Sequence, residues 1–329
     1  MSDNLLYDVN PAELTAVARG VQRAAEESSV TSQLLPAEFT NKPAVQFRVG
    51  GDRTSKGSTF RAFDAESNLG HTAGGERRSA FLQPQSIKEP IGELEFLGRR
   101  NEAGDESLNT RVQQIIRGLV ARMVHDLDSL RAQALLTGGL DINADGVRQV
   151  VDFGRLPEFT TASEIGWDES AGDPIADLES WRDDYVEVNG EEPTDLIVSR
   201  RVVSVLMRSE AVKDYLGITT LAPQEALNSI LASHGLPSLT VHSGQTISAD
   251  HILFATRGLD ALGATVWGTT SDAHGDYEAL GASLPGLVIS SYRQNDPDTQ
   301  WIRANATVLP ILKNANLSLA AQVLSISGS

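Results

Sequence analysis

The chain has 329 residues, 40% of them hydrophobic and 22% charged, proportions that can build a sizeable core and that exclude wholesale disorder. It has no cysteine, which excludes a disulfide framework, a thiolate nucleophile and a Cys-ligated zinc. Its net charge of −17 repels phosphate, so sequence-independent nucleic-acid binding by the bulk of the protein is also excluded.

Met1-Ser2-Asp3-Asn4 lacks the basic and apolar regions of a signal peptide, and no run of about 18 apolar residues is present to span a membrane. The expectation is a soluble chain made in the cytoplasm. Residues 1–44 open with a short helical pattern in which Asn10 caps, Pro11 suits the first turn, and Leu14, Val17, Val21 and Ala24 form a narrow apolar stripe. This stretch is too small to fold alone and must lie on something else.

Residues 45–97 read as an extended hairpin. Val45, Phe47 and Val49 alternate with polar residues as a half-buried strand, a glycine-rich stretch follows, and Ser79-Ala80-Phe81-Leu82 returns. Long loops with so few apolar residues are rarely purposeless, and this one is expected to project from the body. Between Lys42 and Arg78 there are seven basic side chains against four acidic ones, a +3 segment that leaves −20 for the rest. Arg48, Arg53, Lys56, Arg61, Arg77 and Arg78 are therefore candidate contacts to an acidic partner surface, such as a second copy of this chain. The alternative is a solvated loop with incidental charge.

Residues 107–137 predict one long amphipathic helix. Leu108, Val112, Ile115, Ile116, Leu119, Val120, Met123, Val124, Leu127, Leu130 and Ala134 recur at three- and four-residue steps, and Gly138-Gly139 stops the pattern. At 1.5 Å per residue it would be about 46 Å long, a beam on which other layers rest. Asn143-Ala144-Asp145-Gly146 then reads as a turn between two short strands.

Residues 165–299 read as a mixed α/β region. Asp173 and Pro174 open a helix that buries Ile175, Leu178, Trp181, Tyr185 and Val188 before Gly190, and Leu196-Ile197-Val198 is a strand. Helices follow over Val202–Met207 and between Pro223 and Gly235, with strands at 252–255, 264–267 and 287–289. Trp301–Leu312 and Leu317–Leu324 are strand-like, and the whole reads as an α+β fold.

Chemical motifs are sparse. Asp141, Asn143, Asp145 and Asp152 fall at the spacing of a calcium loop, but Asp replaces the bidentate Glu and a strand pattern replaces the exiting helix. A hairpin turn is the preferred reading, and the metal site stands as the alternative. In Gly51–Ser58 the Lys does not directly precede the Ser or Thr of a phosphate loop, and the six histidines lack zinc-type spacing; His125 is expected at the surface of the long helix. Neither a catalytic site nor a cofactor is predicted.

The order of elements resembles a known family. A polar arm, a projecting glycine-rich hairpin and one long helix ending Leu135-Leu136-Thr137-Gly138-Gly139 come first. Val151-Asp152-Phe153-Gly154, an Asp173-Pro174 helix containing Trp181, and Pro193–Ser199 leading to a helix with Leu206, Val212 and Tyr215 follow. This resembles the lambda-type major capsid proteins of tailed bacteriophages, the capsid protein E family, which have the HK97-like fold. The resemblance implies an N-terminal arm (1–44), an extended loop over a neighbouring subunit (45–97), a peripheral domain with a spine helix (98–164 and 300–329) and an axial domain (165–299). It further implies a non-enzymatic shell subunit, forming hexamers and pentamers of itself in the virion, enclosing double-stranded DNA without sequence-specific binding. Scaffold, portal and decoration proteins are the other partners it implies. An encapsulin-like nanocompartment shell and a soluble α/β enzyme are the alternatives.

Overall fold

A computed structural model describes residues 11–49, 76–92, 94, 105–144, 146–217, 223–242, 247–258, 262–271 and 285–325. Helices α1 (Pro11–Ser28) and α2 (Val30–Leu34) precede strands β1 (Ala37–Phe39), β2 (Ala44–Val49), β3 (Glu76–Phe81) and β4 (Gln83–Gly92). The long helix α3 (Asp105–Thr137) runs into a hairpin, β5 (Gly139–Ala144) and β6 (Val147–Asp152). Next come β7 (Thr160–Ala162), α4 (Pro174–Asn189), β8 (Asp195–Ser199), α5 (Arg200–Leu206), α6 (Glu210–Leu216) and α7 (Gln224–Ser233). The chain ends with β9 (Leu239–His242), β10 (His251–Ala255), β11 (Gly263–Gly268), β12 (Val288–Asn295), β13 (Asp298–Leu312) and β14 (Ser318–Gln322).

Two compact units are formed. The first takes its residues from Met1–Val45, Ser79–Ser129 and Thr265–Pro310. Its five-stranded sheet runs β1-β11-β13-β12, with β4 also paired to β13. Along β13, Ile302, Ala304, Ala306 and Val308 alternate inward and are buried, the period-two pattern of a strand with one face on a core. They meet Val112, Ile115, Ile116, Leu119, Val120, Met123, Val124 and Leu127 of α3 in one cluster, so the predicted stripe is the buried face of that helix. Leu108 lies where no side chain is described. His125 is exposed, as expected.

Helix α1 packs on the same face, with Leu14 and Val21 of its predicted stripe against the core and the other two members turned out. Leu14 and Ala18 are buried, Val17 is 38% exposed and Ala24 is exposed, while polar Thr15 and Gln22 turn inward. The cause is the edge of β12, which has no second strand partner among the described residues. The Ile289 amide donates to Thr15 Oγ1 at 3.1 Å, and Arg19 Nε donates to the Leu287 carbonyl at 3.0 Å. An edge strand whose backbone groups would otherwise go unpaired thus sets the rotation of α1. Farther along, Ser29 caps α2, and the Ser29 and Thr31 hydroxyls both donate to Asp128 Oδ1, at 3.0 and 2.8 Å, pinning α2 to α3.

The second unit takes its residues from Gln46–Arg78, Leu130–Ala264 and Ile311–Ser329. Its sheet runs β7-β14-β10-β8-β9, with parallel pairs at both ends and antiparallel pairs between. All five residues of β8 are buried, as suits a strand covered on both faces. Asp173 caps α4 by accepting from the Ile175 and Ala176 amides, and Ile175, Leu178, Trp181 and Tyr185 form its buried face. The buried Tyr185 hydroxyl reaches Thr256 Oγ1 at 2.6 Å and the Leu317 carbonyl at 3.1 Å.

These units do not follow the boundaries expected at 164/165 and 299/300. Strand β12 pairs with β13 from Val288↔Asn305 to Asn295↔Asp298, leaving only two residues in the turn, so a boundary at 299/300 would cut a tight hairpin. At the other end, β14 pairs with β10 and β7, which places residues 311–325 with the strands of the 130–264 segment.

The end of α3 is held by one arginine. Arg155 donates through Nη1 to the Leu136 carbonyl at 3.0 Å and through Nη2 to the Ala134 carbonyl at 3.3 Å, to the Leu135 carbonyl and to Ser318 Oγ at 3.0 Å. Helix C-termini leave their last carbonyls without helical partners, and here one guanidinium serves those of Leu135 and Leu136 and joins the Gly138 amide at that of Ala134. Burial lowers the Arg155 pKa to about 10. Gly138 turns the chain at φ +70, where a Cβ would sit 2.6 Å from Arg155 Cβ, so both the backbone angle and the arginine demand glycine.

Candidate assembly interface

The stem of the expected loop is β2 paired with β3. Phe47 and Val49 are buried while Arg48 between them is exposed, the alternation that the sequence predicts. Phe47 packs on Phe153 with ring centroids 5.3 Å apart. Gly154, at φ +68, leaves no room for a Cβ beside Val49 Cγ1. Of the six basic candidates, Arg53, Lys56 and Arg61 lie outside the described residues. Arg48 and Arg77 are exposed, with side chains open to a partner.

Arg78 is held within the chain. It donates to the Asp152 carbonyl at 2.9 Å, to Asp152 Oδ2 at 3.1 Å and to Glu76 Oε2 at 3.0 Å. Glu76 first, then Asp152, raise the Arg78 pKa above its ordinary value. The Gly154 amide, 2.8 Å from Asp152 Oδ1, and Arg78 in turn hold the Asp152 carboxyl below the usual carboxylate value. Arg78 therefore anchors the stem to the end of β6.

The hairpin register spreads the calcium-loop candidates along two strands. Pairing runs from Ala144↔Val147 to Gly139↔Asp152, so Asp152 lies at the open end of the hairpin, away from the turn, with its carboxylate taken by Arg78 and Gly154. Asp141 and Asn143 stand opposite Val150 and Arg148, and Asp145 lies outside the described residues. Among the described residues no group of three or more His, Cys, Asp or Glu is placed to hold a metal ion.

A second surface was not legible in advance. On the sheet of the first unit, the face opposite α3 carries Lys88 of β4, Tyr292 of β12, and Trp301 and Arg303 of β13. The register brings them together through Arg303↔Lys88 and Tyr292↔Trp301. Lys88 Nζ sits 4.3 Å from the Trp301 ring centroid and donates to the Tyr292 hydroxyl at 3.1 Å. The Arg303 guanidinium lies 5.9 Å from the Tyr292 ring. Trp301 Nε1 donates to Gln294 Oε1 at 3.0 Å. These are cation–π contacts, which fix long cationic side chains over flat rings at a solvent-exposed face. The only signal in the sequence was the alternation Trp301-Ile302-Arg303, which does not reveal that Lys88 is the neighbour.

Comparison with known proteins gives this geometry its context. A family model described as phage major capsid protein E matches residues 53–323. The chain belongs to the phage major capsid protein E family. Among solved structures, the capsid subunit is similar to a phage-related protein from Bordetella bronchiseptica (14% identity, TM-score 0.60, covering 98% of this chain and 99% of that one). It is also similar to a candidate capsid protein of an Escherichia coli prophage (13% identity, TM-score 0.63, covering 94% and 98%). The virus-like particle protein of Pyrococcus furiosus is similar at 10% identity and TM-score 0.53, covering 94% and 98%. No curated protein matches this sequence. The capsid subunit has the HK97-like fold, an α+β architecture, and its role is that of a shell protein that associates with copies of itself. Among the described residues no helix is long and apolar enough to cross a membrane.

Proposed function

We propose that this capsid subunit closes into an icosahedral phage head of hexamers and pentamers around double-stranded DNA. The observation that carries the proposal is the capsid family match over residues 53–323, most of the chain. Residues 1–44 act as an arm and 45–97 as a loop that lies over a neighbouring copy. The sheet and α3 of the first unit supply the peripheral layer, and the 165–264 segment supplies contacts around the symmetry axes. Scaffold, portal and decoration proteins complete the assembly, which takes place in the host cytoplasm, and the subunit works without catalysis or cofactor.

Charge supports this reading. A subunit of net −17 does not grip packaged DNA along its bulk surface, so filling and ejection meet little adhesion. The +3 segment between Lys42 and Arg78 finds complementary charge on a neighbouring copy. Neutralising Arg53, Lys56 and Arg77 together, with Arg78 left in place to hold Asp152, is expected to weaken assembly and leave the subunit folded. Particles of wild-type yield from that variant would refute the loop-docking part. The second reading, a nanocompartment shell, is separated by content: nuclease-protected DNA identifies a phage head, and a co-purifying enzyme identifies a compartment.

A further inference from the structure

The charge of this chain is unevenly placed. Residues 156–199 hold thirteen acidic side chains and one basic one, Arg182. Helix α4 exposes Asp183, Asp184 and Glu187, and Glu191 and Glu192 extend the exposed row just past its end. Arg182 is 2.7 Å from Asp183. Asp184 and Glu187 are three residues apart on one helix face, and like charges at this spacing repel.

The cation–aromatic face of the first unit has the opposite character. The positions of its three strands on that face are the even ones over 84–92 and 288–294 and the odd ones over 299–307; none of them is Asp or Glu, and Val288, Ser290 and Thr299 among them are buried. Lys88 is held by aromatic groups, on the Trp301 ring and at the Tyr292 hydroxyl. Arg303 adds a second cation on the same face. In a chain of −17, three adjacent strands without an outward carboxylate form a cationic platform whose side chains are already ordered, so little conformational entropy is lost when it is covered.

We propose that this face, centred on Lys88, Trp301 and Arg303, docks on the acidic outer face of α4 of a second copy of the chain. The inference rests on the shell reading and deepens it by naming the two surfaces that meet. Each copy carries both surfaces, and they differ, so the contact is heterologous. Head-to-tail contacts whose rotation closes form rings, the geometry a capsomer needs. Docking would also relieve the repulsion along α4 by bringing cations to it.

The test is charge reversal on each face, then on both, in the full-length chain. K88E/R303E reverses the sheet face and D184K/E187K reverses the α4 face. Circular dichroism checks folding, and sucrose-gradient sedimentation with negative-stain microscopy measures particle yield. Each single-face reversal is expected to lower yield on the order of tenfold, and the combined variant to recover most of it, because the charges again match across the contact. Wild-type yield from either single-face variant would overturn the proposal, as would a combined variant no better than its parents, since the two faces would then not meet each other. If K88E/R303E fails to fold, K88Q/R303Q takes its place, with a smaller loss expected and normal yield overturning the idea. Wild-type protein that forms no particles with its scaffold present would instead defeat the shell reading itself, an outcome distinct from normal particles made by the variants.

Discussion

Arg155→Ala isolates the anchor at the end of the long helix. The guanidinium donates to the carbonyls of Ala134, Leu135 and Leu136, so its removal breaks three hydrogen bonds, although the Ala134 carbonyl keeps the Gly138 amide. A hydrogen bond from a charged group contributes about 1.5–3 kcal/mol, so the three together are worth about 4.5–9 kcal/mol. Against this stands the cost of keeping the charge buried. Burial lowers the Arg155 pKa to about 10, a cost on the order of 3 kcal/mol that is relieved when the group is removed. The net loss is therefore about 1–6 kcal/mol, with water reaching the freed carbonyls favouring the lower half. For a chain of this size that lowers the melting temperature by several degrees, at about 2–4 °C per kcal/mol. Arg155→Lys is expected to fall between wild type and Arg155→Ala, because an ammonium cannot reach three carbonyls from one planar fork. The assay is thermal unfolding of the dissociated subunit followed by circular dichroism. An Arg155→Ala melt within 1 °C of wild type would show that the bonds seen at this turn do not hold it.

Other consequences follow from the same structure. Leu119 is fully buried between α3 and the sheet, so Leu119→Ala is expected to cost about 2–5 kcal/mol by urea unfolding, and a loss below 1 kcal/mol would mean that the stripe is not core. Gly154→Ala is expected to destabilise through its φ of +68 and the overlap with Val49, and adding Val49→Ala should relieve the overlap but not the backbone strain. Asp152→Asn tests the stem anchor by pH. Because the folded carboxyl titrates below its unfolded value, its stabilisation is present above about pH 4 and is lost as pH falls through the folded value. The variant is thus expected to be less stable than wild type at pH 7, by under about 1 kcal/mol for so exposed a group, and to match it near pH 2; equal stability at both pH values would contradict the anchor.

What the sequence disclosed was whatever repeats locally. The stripe from Val112 to Leu127 and the face Ile175, Leu178, Trp181 and Tyr185 follow a helical period, and Asn143–Gly146 is a compact turn signal, so each could be read within a short window. Part of the α1 face could not, because Thr15 and Arg19 answer backbone groups of residues 287 and 289, far along the chain. Arg155 looks like any surface arginine until the fold brings the end of α3 against it. Lys88 and Tyr292 lie 204 residues apart, and only strand pairing makes them neighbours. The division of residues 265–325 between the units is equally non-local, since it depends on whether a strand pairs with β13 or with β10. The family resemblance was legible because it lies in the order of elements, which survives where individual motifs do not.

The central claim is that this chain closes into a phage head. The most direct measurement is electron microscopy of particles formed by the full-length chain with its scaffold, joined to an assay for nuclease-protected DNA in particles from lysing cells. Uniform icosahedral shells that protect double-stranded DNA are the predicted result. Soluble monomers, open sheets, or closed shells that hold only protein cargo would contradict it.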